Sequence, residues 1–374
     1  MVWRRLSAGA ATLILVFGLN GCSGGSDSSE SGPQPTGNDT AGTPPPVAPQ
    51  PEPPDATTPD PTPPDDAADA APRFDIVRVA SGDAMVIGTA LNNHGEVSGQ
   101  SDFRAGVWSE TDGVRSLSSV ADMEDYGDWL NDAGWVAGHA EVRSAEAGEY
   151  TAAVWRADGS IATTGASVTN WINGSWSRGI NAHGRSVGLY RDAGGSGFFQ
   201  WDESGFVDLG TLGLAGQALN IRINDTGAVA ASVLTAEGNT IVVREADGSQ
   251  RVVGSGVLAA FNNQGAVAGC SDDQPVIWNA DGTLTHPDPQ RRRGCVQALN
   301  NRGDAVGSYY RGEELRWFLF QDGVFHDLQD LVAATAAQPI GPALAINDRG
   351  EILTATPAAW LDPAARVLRP RGGD

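Results

Sequence analysis

Leu299-Asn300-Asn301-Arg302-Gly303-Asp304-Ala305-Val306-Gly307 carries the pattern that decides the fold: an apolar residue, Asn, two variable residues, Gly, then a short run of strand formers. An Asn heading a tight turn bonds backbone two residues on, and Gly takes the left-handed conformation that closes a bulged hairpin. The arrangement occurs seven times, at Asn92 with Gly95, Asn131 with Gly134, Asn181 with Gly184, Asn224 with Gly227, Asn262 with Gly265, Asn300 with Gly303 and Asn347 with Gly350. Successive Asn residues lie 39, 50, 43, 38, 38 and 47 positions apart. That is the period of a propeller blade with loop insertions.

A second hairpin follows each of these at a variable distance. Apolar residues lead to Trp108, Trp155, Trp201, Trp278, Phe320 or Trp360, and all but the last precede a turn closing on Gly113, Gly159, Gly205, Gly282 or Gly323. The fourth unit keeps Asp247-Gly248 but has Arg244 at the aromatic position. Two hairpins per unit make four strands, so residues 73–374 are expected to form an all-β, seven-bladed β-propeller of four-stranded antiparallel blades. The recurrent aromatic is expected to fill the seam between neighbouring blades. An open ring would leave unpaired edges. Phe74 to Ala80 and Ala365 to Leu368 compete for the outermost place in the seventh blade, and the N-terminal strand is expected to complete or augment it.

The pattern resembles the HAF-repeat family of bacterial extracellular repeat proteins, whose units run Ile-Asn-x-x-Gly-x-Val-Val-Gly, an Ala-Phe-x-Trp-like strand, then Asp-Leu-Gly. Ala345-Ile346-Asn347-Asp348-Arg349-Gly350 carries the first element, Ala152-Ala153-Val154-Trp155 the second and Val207-Asp208-Leu209-Gly210-Thr211-Leu212-Gly213 the third. The resemblance covers nearly all of residues 86–360, although the His-Ala-Phe triplet that names the family is nowhere intact. It implies an extracellular propeller and brings no activity with it, since one fold hosts many functions.

Composition fits this architecture, with 48 Gly, 22 Pro and 11 Trp among 374 residues. All 24 positively charged residues are Arg, and the absence of Lys removes P-loop, Schiff-base and pyridoxal-phosphate chemistry. The net charge of −22 becomes about −24 once Arg4 and Arg5 leave with a signal peptide, which argues against nucleic acid as a partner.

Residues 1–21 read as a lipoprotein signal peptide: Arg4 and Arg5, an apolar run from Ala8 to Leu19 too short to span a bilayer comfortably, then Leu19-Asn20-Gly21-Cys22. The ending resembles the bacterial lipobox, which implies lipidation of Cys22 and a membrane partner through that anchor. An ordinary cleaved signal with an incidental cysteine is the alternative. In a diderm cell, Ser23 in place of Asp after the cysteine favours the outer membrane. Residues 22–72 read as a disordered Pro-rich acidic linker, with 14 Pro and nine Asp or Glu and neither Arg nor aromatic residues between 23 and 72. Such a chain reaches on the order of 150 Å if extended at about 3.1 Å per residue.

In a propeller both short turns of every blade lie on one face. Variable loops gather on the other, predicted to include residues 117–127, 139–150, 162–176, 189–197, 286–295 and 329–342, where binding usually sits. Trp171, Asn173 and Trp176 are candidate ligand-binding residues there, as a stacking platform for a sugar or peptide; packing of both rings beneath their own loop is the alternative. Cys270 and Cys295, placed by the same assignment in two loops of that face, are expected to form a disulfide in an oxidising space.

No catalytic residue, cofactor or metal site is expected. Gly21-Cys22-Ser23-Gly24-Gly25 fits a serine-nucleophile expression by letters only, and the five His lack zinc spacing. Asp122, Glu124, Asp125 and Asp128 lack the spacing of a calcium loop and are expected to be a solvated acidic stretch. The chain is thus expected to be a monomeric, surface-tethered module binding an extracellular protein or glycan, with a polysaccharide hydrolase or lyase and a structural envelope protein as alternatives.

Overall fold

The computed structural model describes residues 73–81, 84–120, 124–142, 149–164, 174–192, 195–332, 340–355 and 365–372. The signal and linker segments with Cys22 lie outside the described residues, as do Trp171, Asn173, Asp122 and Trp360. Seven antiparallel sheets follow one another around a ring, each built on four strands, a to d outward from the axis, which run as a meander in all but the seventh. The a strands of blades 1 to 7 are Ala84–Leu91, Asp125–Leu130, Ser175–Ile180, Gln217–Ile223, Val257–Phe261, Gly294–Leu299 and Ala343–Ile346. Their b strands are Val97–Ser101, Val136–Val142, Ser186–Asp192, Val229–Thr235, Val267–Ser271, Ala305–Arg311 and Ile352–Thr354. A two-residue strand, Ala80–Ser81, also pairs with strand a of blade 1. This is a seven-bladed β-propeller.

Blade 7 is assembled from both ends of the domain. Arg366–Pro370 takes the third place and Phe74–Arg78 the fourth, paired from Phe74 opposite Pro370 to Arg78 opposite Arg366. The two segments therefore do not compete for one slot, as the sequence suggested; they lie side by side. Consequently Leu368, opposite Ile352, occupies the register that Trp108 holds opposite Val97 in blade 1, and the aromatic place assigned to Trp360 belongs to a leucine. Phe74 is buried with Leu328, Leu331, Val332 and Leu368, which seals the seam between blades 6 and 7.

The other recurrent aromatics do fill seams. Trp155 is buried against Ala105, Val107 and Leu117 of the preceding blade, and Trp278 against Ala230, Ile241 and Val243. In blade 4, Arg244 sits in the equivalent register opposite Val229.

Every a–b turn has one construction. The Asn side-chain oxygen accepts from the backbone amide four residues on in all seven blades, as at Glu96, Trp135 and Ala266, and in five also from the amide two residues on. The seven glycines have φ between 76° and 89°, a left-handed conformation that a side chain would strain. The Asn amide nitrogen points sideways and donates to the carbonyl of the next blade's Asn. Asn92 donates to Asn131, then Asn131 to Asn181, Asn181 to Asn224, Asn224 to Asn262, Asn262 to Asn300, Asn300 to Asn347, and Asn347 back to Asn92, all within 2.8–3.2 Å. The ring of hydrogen bonds is closed and all seven Asn residues are buried.

A second device recurs in strand a, where the pairing with strand b skips one residue in each blade: Thr89, Asp128, Arg178, Leu219, Ala259, Gln297 and Leu344. These bulges push a carbonyl of strand a into strand b. A β-carbon on Gly138 would lie 1.8 Å from the Tyr126 oxygen, and one on Gly269 1.8 Å from the Val257 oxygen. That close approach explains the terminal Gly of the repeat in blades 1, 2, 3, 5 and 6. Blade 4 has Ala231 instead, and its bulge lies nearer the start of the strand.

Two predictions follow from these devices. Asn262→Asp keeps the turn acceptor but loses the donor to Asn300, and should cost about 1–3 kcal/mol in chemical denaturation, with Asn262→Ala costing more. Gly269→Ala should destabilise by about 1–3 kcal/mol or prevent folding, whereas Ala231→Gly should cost at most about 1 kcal/mol; equal melting temperatures for these two variants would contradict the bulge assignment.

Candidate functional site

The loop face is tighter than the sequence suggested. The b-to-c connections at 102–103, 236–237, 272–273 and 312–313 are two-residue turns, and Gly256 alone joins blades 4 and 5. Most of 189–197 belongs to the hairpin Ser186–Asp192 and Gly195–Asp202, and His139 to Val142 lie in strand b of blade 2. Cys270 and Cys295 also lie in strands, b of blade 5 and a of blade 6, not in loops. Their sulfurs are bonded, with Cα atoms 4.7 Å apart, so the disulfide ties two neighbouring blades.

Chemistry concentrates at the axis, in blades 2 to 4. In the register two residues before the ring Asn, five blades place Ala90, Gly179, Ala260, Ala298 and Ala345. The other two place Trp129 and Arg222 there. The Arg222 guanidinium lies 4.4 Å from the Trp129 ring, a cation–π distance. It donates to the carbonyl oxygens of Ala259 at 2.8 Å, Arg178 at 3.2 Å and Ile221 at 2.9 Å, and to Asn220 Oδ1 at 2.7 Å. One side chain thus touches blades 2, 3, 4 and 5, which places it in the central bore. It is 7% exposed and all these acceptors are neutral. Burial, together with the like charge of Arg178, pulls its pKa down to about 9.

Arg178, at the bulge of blade 3, stands beside it. Burial lowers its pKa, while Asp128 opposes and Arg191 reinforces the shift. Among the described residues, Arg178 Nε and Trp129 Nε1 are buried donors without an acceptor. Buried donors left unpaired are rare and costly.

A ladder of rings runs through blades 2 and 3. Tyr126 stacks on His139 at 4.6 Å and 8°, His139 meets Tyr150 edge-on at 5.4 Å, and Tyr150 lies 6.2 Å from Trp176. His139 Nδ1 donates to Asp128 Oδ2 at 2.7 Å. Burial, with the hydrogen bond to Glu124, pushes the Tyr126 hydroxyl upward. Trp176 lies in strand a of blade 3 and not in a loop; Arg191 stands 6.0 Å over its ring, and Gly174 packs on it closely enough that a β-carbon there would come within 3.0 Å. The ring is therefore packed under its own chain segment instead of forming an open platform.

The described members of the acidic stretch are each engaged instead of freely solvated. Asp125 is buried and accepts from the Val120 amide and Arg104, Glu124 accepts from Tyr126, and Asp128 holds His139. Among the described residues no three His, Cys, Asp or Glu side chains converge as metal ligands.

Two further polar clusters belong to the frame. Asp208 and Asp327, the Asp of the third repeat element, each take a hydrogen bond from a strand-b tyrosine, Tyr190 at 2.9 Å and Tyr309 at 2.6 Å, and from the amide two residues on. On the short-turn face a cavity of about 530 Å³ lies between blades 7 and 1, lined in part by His94, Glu110, Arg349, Glu351 and Arg369. Its charges are already matched: Glu351 binds Arg349 at 2.6 Å and Arg369 at 3.0 Å, and Arg369 reaches Glu110 at 2.9 Å. Burial pushes the Glu351 carboxyl up, and its bonds from Asn347, Arg349 and Arg369 outweigh this and hold it below the usual range. These pairs staple the ring where it closes.

No family model matches the chain, and no curated protein matches it. Solved structures do. U3-55K aligns over 80% of this chain and 100% of its own, at 13% identity and a TM-score of 0.52. A catalytically inactive virginiamycin B lyase from Staphylococcus aureus, with quinupristin, aligns over 80% and 100% at 10% identity and 0.52, and a streptogramin B lyase over 80% and 98% at 9% identity and 0.51. At these identities the likeness is one of fold.

Proposed function

We propose that this chain is an envelope lipoprotein of the HAF-repeat type, anchored through Cys22 on its 22–72 linker, whose propeller is a non-catalytic module binding an extracellular protein or glycan. The observation that carries the binding reading is the donor surplus at the axis: Arg178 and Trp129 present buried N–H groups with no acceptor among the described residues, on a rigid frame. Nearby carboxylates are each engaged, Asp125 by Arg104, Asp128 by His139 and Glu124 by Tyr126. Carboxylates held in that way are not themselves free to act as the base of a proton transfer, which favours recognition.

Two measurements test the two halves of the proposal. Palmitate labelling of cells expressing the full chain should mark it, and Cys22→Ser should abolish the label and release the protein from the membrane fraction; unchanged fractionation removes the anchor. A screen of envelope glycans and peptides against the purified chain, with a parallel assay for cleaved products, should give saturable binding without turnover. Product formation would make the chain an enzyme and overturn the binding-module reading.

A further inference from the structure

Three arginines gather in the axial cluster of a chain whose net charge is −22. Arg178, Arg191 and Arg222 lie near enough to act on one another, and the one carboxylate acting on Arg178, Asp128, is already bonded to His139. Arg222 spends its hydrogen bonds on neutral acceptors, so its charge has no counter-ion there. A buried cation without one is costly unless an anion arrives to match it. Within this cluster the unused groups, Arg178 Nε and Trp129 Nε1, are donors, which is the complement of an oxygen anion.

The surroundings narrow the ligand. On the adjoining blades 4 and 5, Leu219 and Val257 are exposed near the starts of their a strands. Exposed apolar side chains of this kind suit a ligand body with an apolar face. An extended peptide would need a straight sheet edge to pair with. Every a strand is interrupted by its bulge, which breaks that edge. The acidic chain disfavours densely charged phosphate polymers, whereas one carboxylate per sugar ring meets less repulsion.

We propose that the axial cluster of blades 2 to 4 binds the carboxylate of an acidic sugar, as in a uronate polysaccharide, with Arg178 as the primary contact and Arg191 and Arg222 supplying the field. This rests on the binding-module reading and gives it a substrate class. The anion would satisfy donors that the described residues leave unpaired.

The test is calorimetric titration of the full chain with oligogalacturonate and with its methyl-esterified form. The acid form should bind, the ester about tenfold or more weakly, and affinity should fall with salt. Arg178→Gln should lose about tenfold or more in affinity, because a charge-assisted bond is lost. Its melting temperature should hold, since the Arg178 side chain makes no hydrogen bond or ion pair within the described residues. Arg191→Gln should lose less. Equal binding of acid and ester, binding indifferent to Arg178→Gln, or no binding at millimolar ligand would overturn the proposal, the last outcome leaving a buried water as the occupant. Because the ester comparison uses the unaltered chain, it decides the matter even where Arg178→Gln fails to fold. Binding of a neutral glycan or a peptide unaffected by Arg178→Gln would discard the acidic-sugar site and leave the binding module standing.

Discussion

The structure depends on one repeated hydrogen bond, from the amide nitrogen of each turn Asn to the backbone carbonyl of the next. Donor and acceptor are both buried, so a blade that shifted would leave two groups unpaired in place of one bond, and the loss would exceed the bond's own net contribution. The ring also has no end: Asn347 returns to Asn92 across the seam where the N- and C-terminal strands share blade 7. In a linear solenoid each repeat answers only to its neighbours and the outermost need caps. Here closure makes the first and last blades neighbours, and the Phe74–Arg78 strand secures that contact.

The same asparagine shows how far sequence alone carries. Its spacing and its glycine partner identify the turn, count the blades and fix the fold. The acceptor half of its chemistry is local and therefore legible, because the bonded amides lie two and four residues away. The donor half joins residues 38 to 50 positions apart, or 255 at closure, and no local pattern encodes it. Glycines such as Gly138 and Gly269 are similar: they are visible as repeat residues, but their cause is a carbonyl pushed across from another strand. The misplaced loops share that cause. Ranges such as 189–197 look like connections because polar residues interrupt them, yet most of those positions continue the strands Ser186–Asp192 and Gly195–Asp202. For Trp360, the aromatic pattern outweighed strand length: Arg366–Pro370 supplies the third strand, and the pairing places Leu368 in the seam.

The axial cluster was not legible for a related reason. Arg178 and Asp128 sit at bulges, where strand alternation fails and a side chain is re-aimed, while Arg222 matters through contacts with four different blades. Each residue looks like an ordinary strand position in its own unit. A signal does exist once the blades are aligned by their Asn: the register that holds Ala or Gly in five units holds Trp129 and Arg222 in two.

That contrast separates scaffold from function. Positions that repeat identically, such as the turn Asn and Gly, are explained by ring closure. Positions that differ in one or two blades are not required by the ring, since five blades close around the axis with a methyl group or less at the same place. Burying a guanidinium there carries a desolvation cost that four neutral acceptors and a ring face only partly offset. The second ring around the axis breaks in the same sector. Asn93, Asp225, Asn263, Asn301 and Asp348 each donate a backbone amide to the corresponding side chain of the next blade, but Ala182 in blade 3 offers Asp132 no acceptor. Departures from the repeat thus gather in blades 2 to 4, near the axis, where the frame is rigid and donors stand unpaired. In a molecule built by repetition, an exception that costs stability and clusters in space is not explained by the closure of the ring.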